Sequence, residues 1–428
     1  MPPTHDPKHP ALTLIPDKRL SLREFTRLPG PDKLPYLRQV PHKERLDLVL
    51  EDPAGTELLQ ALSGPEFTWL VAEIGNDDAQ ELLALAAPEQ VAFLLDWELW
   101  EKGAYAAGKG YFWLEQLVAL DEGQLLEIVH ALDLELLLLL LGQELLVGGG
   151  VGELLSDEER LADWDHTFDN CYFLTFRIPR HGPVVGRLLD ILFRFDENLY
   201  RRVLEGLKNE VDAELEELCC KFRSGRLADQ GFPSREDALA IYGRLEPADY
   251  APSRDKEPFT LPLDDGSLPL LATLASGTTL LHRALAAANA PALAVELQML
   301  LNNALVVEDA PLSDREAVLR VCQRVTGYLN IALEHLVGDQ TEAAAALLQQ
   351  ESLRRLFQLG FGIIRGLRRQ ARDIGPTEHP SSQLLEGLRQ DRPLFYRGLD
   401  PDRADGFREF RDLADIRTLA AALERLAG

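Results

Sequence analysis

The sequence predicts a mostly α protein: an N-terminal stack of helix pairs, a central helical region with a small β-hairpin, and a C-terminal helical bundle. Three observations carry this expectation. Prolines recur at near-constant spacing early in the chain. Apolar residues follow a helical rather than an alternating period through most of it. Only one short segment reads as extended. With 428 residues, the chain is long enough for two or three domains, each burying a core without covalent staples. Its 46% apolar and 27% charged residues fit a globular composition.

Residues 1–20 are Pro-rich and unpatterned, and are read as a loose tail. A helical-repeat domain is expected over 21–147. Pro41, Pro65 and Pro88 lie 24 and 23 residues apart, and each precedes a helical apolar pattern such as Phe67, Leu70 and Val71. Proline suits the first turn of a helix, where its missing N–H costs nothing, and the Glu after Pro65 and Pro88 complements the helix dipole. A fourth unit, from Leu114 to Val129, carries Asp121-Glu122 in place of Pro-Glu. Short helix pairs of this period cannot bury their apolar faces alone and must stack. The run Leu132–Val147, with six consecutive leucines, is interrupted by Asp133, Glu135, Gln143 and Glu144. It falls short of the roughly 20 apolar residues that a membrane span needs, and is read as a buried core helix.

The next region, 148–247, opens on the glycine cluster Gly148–Gly152, read as a helix stop. Trp164–Phe168 and Cys171–Ile178 read as two strands around an Asp169-Asn170 turn. Helical periodicity then runs from Val184 to Phe222 with a break near Asp196. It is followed by a connector, Ser224–Pro233, and a short helix capped by Ser234. Residues 248–279 are rich in Pro, Asp, Ser and Gly and read as a linker. The C-terminal domain is expected over 280–428, with three or four helices up to Arg372 and two short ones after Leu384.

Composition also limits function. With 70 acidic and 44 basic residues the net charge is −26, which argues against nucleic acid and anionic membranes as partners. Arg354, Arg355, Arg365, Arg368, Arg369 and Arg372 fall at helical spacing and read as the solvated face of one helix. The segment Met1–Pro10 has no apolar core and is not read as a signal peptide. Four cysteines follow no disulfide or CxxC pattern, which suits the reducing cytoplasm.

Motifs that carry chemistry are sparse. Gly103–Gly110 resembles a P-loop, but Gly110 stands where the magnesium-binding hydroxyl belongs and no apolar strand precedes it. The Gly148 cluster lacks dinucleotide-binding spacing. Nine histidines include no HExxH and no zinc spacing, and the Asp-Asp pairs at Asp77 and Asp264 have no second acidic cluster. No metal and no cofactor are expected. Two features remain. Arg223, Arg226 and Asp229 lie in a Gly- and Pro-containing stretch anchored by Phe232, and either pair internally or face an anionic ligand. Trp97, Trp100 and Trp113 belong to an aromatic cluster around one loop, part core and part possible anchor.

The Leu-Leu-x-x-Leu then Pro-Glu pattern resembles the N-terminal helical superhelix of magnesium-transporter E proteins and of the flagellar motor-switch protein FliG. Across nearly the whole chain, four segments resemble the signature of an uncharacterised bacterial family, a domain of unknown function. They are Arg226–Pro233 with Glu236 and Ala238, Leu300–Asp309, Leu356–Leu367 and Pro393–Leu399. That resemblance implies an architecture and brings no activity or catalytic residues. The functional expectation is a non-catalytic cytoplasmic scaffold or adaptor that binds another protein through helical-repeat surfaces. The alternative is an enzyme or small-molecule-binding protein whose pocket, between the central and C-terminal regions, uses Arg223, Arg226 and Asp229.

Overall fold

In a computed structural model, the structure describes residues 19–37, 40, 42–75, 79–101, 103–150, 164–209, 212–252, 256, 277–288, 290–312 and 314–427. Most of the tail read over 1–20 and of the linker read over 248–279 lies outside these residues, as do Pro41, Asp77 and Asp264. Among the described residues there are twenty-one α-helices and three two-stranded antiparallel sheets, so the mostly α expectation holds. Two compact units divide the chain, an N-terminal one over Leu20–Gln230 and a C-terminal one over Gly231–Ala310 with Asp314–Gly428.

The N-terminal unit runs in successive helix pairs, the first helix being the shorter in the first two of these. Gly55–Gln60 leads to Gly64–Ile74, Ala79–Leu83 to Pro88–Glu98, and Ala107–Val118 to Glu122–Ala131. Pro65 and Pro88 occupy the first turns of their helices, as their spacing predicts. Ser63 caps the first of these, with Glu66 reaching back to the Ser63 amide at 2.9 Å in a reciprocal capping box.

The third position of Pro88–Glu98 and of Glu122–Ala131 is glutamine, and it does more. Gln90 accepts from the Ala87 amide at 2.9 Å, while its side-chain nitrogen donates to the carbonyls of Leu59 and Leu62 at 2.8 and 2.7 Å. Gln124 repeats the device one unit later, donating to Ala86 at 3.0 Å and, more weakly, to Leu83 at 3.5 Å. Each glutamine thus binds two carbonyls at the end of a short helix in the preceding repeat, one of which also accepts from a backbone amide. Helix ends this short and this buried need such partners, because water does not reach them.

Leu134–Gly142 buries all six leucines from Leu136 to Leu141, as expected of a core helix. The chain then departs from the predicted helix stop. Leu145–Gly149 is a strand, paired antiparallel with Tyr172–Phe176 in the register Leu145↔Phe176 to Gly149↔Tyr172. The predicted turn is present: Asn170 adopts φ 56°, and Asp169 accepts from the amides of Cys171 and Tyr172 at 2.8 and 2.9 Å. Its predicted first arm shrinks to a single bridge, His166↔Leu174. Glycine makes the new pairing possible. Gly149 has φ 75°, and a β-carbon there would lie 2.3 Å from the Cys171 carbonyl oxygen. A cluster that reads as a stop in one dimension is a site of close backbone approach in three.

In the C-terminal unit, five helices rather than three or four span Leu280 to Asp373, among them Pro291–Glu308, Arg315–Val337 and Leu353–Asp373. Arg315–Val337 packs along Leu353–Asp373, where a β-carbon on Gly360 would lie 2.0 Å from the Tyr328 carbonyl oxygen. Ser381–Arg389 and Leu413–Ala427 follow, separated by the small sheet Phe395–Tyr396 with Phe407–Arg408.

Replacing Gln90 by Ala takes the partner from the Ala87 amide and the Leu62 carbonyl and one of the bonds from the Leu59 carbonyl, and is expected to destabilise the N-terminal unit by about 2 kcal/mol. Gln60→Ala removes a single exposed bond to Leu85 and is expected to cost less than about 0.5 kcal/mol. Urea unfolding of both variants by circular dichroism checks the difference.

Candidate functional site

The helix Asp212–Asp229 organises the candidate site in the N-terminal unit. The stretch read as a connector, Ser224–Pro233, is helical as far as Asp229, because Leu215, Cys219 and Leu227 continue its buried stripe. Arg223 and Arg226, three residues apart, emerge on one side of it.

Arg226 forks onto Asp96 of the Pro88–Glu98 helix, with Nε to Oδ2 at 2.6 Å and Nη2 to Oδ1 at 2.8 Å. Its third nitrogen donates to Asp133, the N-cap residue of the leucine-rich helix. Arg223 donates to the backbone carbonyl of Asp96, and its guanidinium lies 5.4 Å from the Trp100 ring centroid. Burial pushes the Asp96 carboxyl above its usual range, against the pull of Arg226 and Arg223, while the two carboxylates hold the Arg226 proton more firmly than usual.

Four of the six residues singled out from the sequence therefore have defined places here. Arg223, Arg226 and Trp100 meet around Asp96, and Trp97 lies half-buried on the same helix, stacked on Phe93 with centroids 6.2 Å apart. Trp113 is buried in the core, edge-on to Phe112, and Trp100 packs edge-on to Tyr105. Asp229 is exposed and is not the carboxylate that Arg226 takes. Asp96 and Asp133 escaped sequence reasoning. A detectable signal was present: Asp96 follows directly on the apolar run Val91–Leu95 inside a helical pattern, where an acid calls for a cation. Lys109, from the P-loop look-alike, pairs with Glu101 at 3.0 Å.

Beside this network is an open groove of about 840 Å³, lined by Trp100, Glu214, Glu216, Glu217, Leu218 and Lys221 among others. Glu216 accepts from the Tyr105 amide at 2.9 Å and so ties the helix to the small sheet Trp100–Glu101 with Ala104–Tyr105.

The C-terminal unit holds a second network of the same design. Arg324 forks onto Glu409 at 2.9 and 2.6 Å and donates to Glu308, which also accepts from the Tyr242 hydroxyl at 2.8 Å. The Tyr328 hydroxyl, fully buried close by, has no hydrogen-bond partner, and burial pushes it well above the usual phenol range. Burial likewise raises the Glu409 carboxyl. Arg408 is held between Asp400 and Asp415, with all four side-chain contacts within 2.9 Å, and lies 3.9 Å over the Phe395 ring. Near it is a cleft of about 140 Å³, bordered by Thr279, His282, Thr326 and Glu409. Among the described residues, no group of three or more His, Cys, Asp or Glu is placed to hold a metal ion. No described helix is long and apolar enough to cross a membrane.

One family model, described as a family of unknown function (DUF6178), matches residues 22–428, nearly the whole chain, and the chain belongs to that family. No curated protein and no solved structure matches it.

Arg226→Met leaves Asp96 buried without its partner, and is expected to destabilise the N-terminal unit by about 3 kcal/mol. Asp96→Asn, which removes the buried charge while Arg226 keeps Asp133, is expected to cost roughly half as much. Chemical denaturation of the two variants gives the ranking.

Arg408 holds the Asp400 carboxyl below its usual range. The stability from this pair is therefore present above the ordinary carboxylate value and lost as pH falls through the lowered one. Glu409 has the opposite sign, since its raised value favours the fold as it protonates. Thermal midpoints of wild type and Arg408→Gln, measured from about pH 6 to about pH 2, are expected to converge at the acid end.

Proposed function

We propose that this member of the DUF6178 family is a non-catalytic scaffold or adaptor that holds a protein partner on its helical-repeat unit. The groove beside the Asp212–Asp229 helix carries the proposal, because it is open and has apolar side chains at its edge. The competing reading, an enzyme or small-molecule site, relied on Arg223 and Arg226 as cations for a ligand. Both donate to Asp96, and Asp133 takes the remaining fork of Arg226. A guanidinium already bound by two carboxylates has little to offer an anion.

The charge of −26 favours a protein partner over nucleic acid. The arginines of the Leu353–Asp373 helix agree with this, since Arg368 pairs with Asp391 at 2.5 Å and Arg369 with Glu246 at 2.6 Å. Four free cysteines fit action in the reducing cytoplasm.

Purifying the tagged chain from its own cells after mild cross-linking, followed by native mass spectrometry, tests the reading. A reproducible protein partner near stoichiometric amount is expected. Recovery of the chain alone, or with a small molecule in its place, overturns it.

A further inference from the structure

The outer face of the Asp212–Asp229 helix has no packing duty within the described structure. Its inner stripe, Leu215, Cys219 and Leu227, is buried, and Arg223 and Arg226 fix its orientation. Glu214, Glu217, Leu218, Lys221 and Phe222 follow one another at three- and four-residue steps and share the exposed face. Leu218 and Phe222 are each 37% exposed, one turn apart. Single exposed apolar residues are ordinary. Two large ones one turn apart on a helix, with Leu218 lining the groove and Phe222 exposed on the helix beside it, are not. Beyond them, a β-carbon on Gly225 would meet nothing within 4 Å, so the face stays open for another turn.

Resting on the adaptor reading, we propose that this face and its groove dock an amphipathic helix of a partner protein, one that carries lysine or arginine beside its apolar stripe. Charge complementarity selects that occupant. Among the described lining residues, the groove presents Glu214, Glu216 and Glu217 against one cation, Lys221. Phe222 and Leu218 meet apolar residues spaced by one turn, and the carboxylates meet the flanking cations. The field of a chain with net charge −26 draws a basic segment in and holds an acidic one off.

The probe is a fluorescein-labelled synthetic helix of about 18 residues, long enough for five turns, built from leucine and lysine at amphipathic spacing. A leucine–glutamate peptide of the same pattern is the control. Fluorescence anisotropy is expected to show binding of the first peptide only. Leu218→Ser with Phe222→Ser, and separately Glu214→Lys with Glu217→Lys, are each expected to weaken it by about 10-fold or more. Glu424→Lys, a charge reversal on the exposed side of the last helix, is expected to leave it unchanged. Circular dichroism confirms that the variants fold. The proposal is overturned if wild type fails to bind the lysine peptide, or if Glu424→Lys weakens binding as much as the groove variants. A partner recovered from cells with wild type is expected to be lost from the Leu218→Ser, Phe222→Ser protein. If that partner is retained, the docking face is wrong while the adaptor reading stands. If wild type has no partner at all, the adaptor reading itself falls.

Discussion

One arrangement recurs where the two units are held together internally: an arginine gripped by two carboxylates. Arg226 takes Asp96 and Asp133, Arg324 takes Glu409 and Glu308, and Arg408 takes Asp400 and Asp415. A planar guanidinium suits this task better than an ammonium, because its donors leave in fixed directions and can satisfy two acids at once. The first two join helices or strands distant in sequence, whereas Arg408 ties together acids eight and seven residues away, so helix packing across each unit depends most on the Arg226 and Arg324 junctions. Part of the acidic excess has the same origin, since each of these cations takes two acids.

The second constraint is local. Helices of five or six residues expose nearly all of their terminal carbonyls, and a stack of them is dry only if something fills those positions. Gln90 and Gln124 do so from the following repeat, and the Ser63–Glu66 box manages the helix that precedes them. The leucine stripes supply the apolar contact, and the polar side chains at the third helical position set how one repeat sits on the next.

Helical period, proline punctuation and the six-leucine core were legible because each is a property of neighbouring residues. Pro65, Pro88 and Leu136–Leu141 stand where local rules put them. The strand Leu145–Gly149 was not legible. Its partner lies beyond a turn at Asn170, and nothing within the segment itself distinguishes a glycine that ends a helix from one that admits a neighbouring backbone. The candidate site was half legible. Arg223 and Arg226 stood out by composition, yet their partners Asp96 and Asp133 lie on other helices, and Asp229, the nearest acid in sequence, points elsewhere. Sequence proximity suggests pairs, and tertiary structure decides among them. The same holds for Trp100 and Trp113, both buried in the core, of which only Trp100 meets the Arg223 guanidinium.

The distance along the chain between Arg226 and its acids has a consequence for the order of assembly. Asp96 and Asp133 precede it by 130 and 93 residues. On a ribosome, the repeat helices emerge first, with Asp96 and Asp133 still lacking the guanidinium that joins them in the folded chain. The arriving Asp212–Asp229 helix supplies it, so the last helix of the unit to be synthesised is also the latch that closes it.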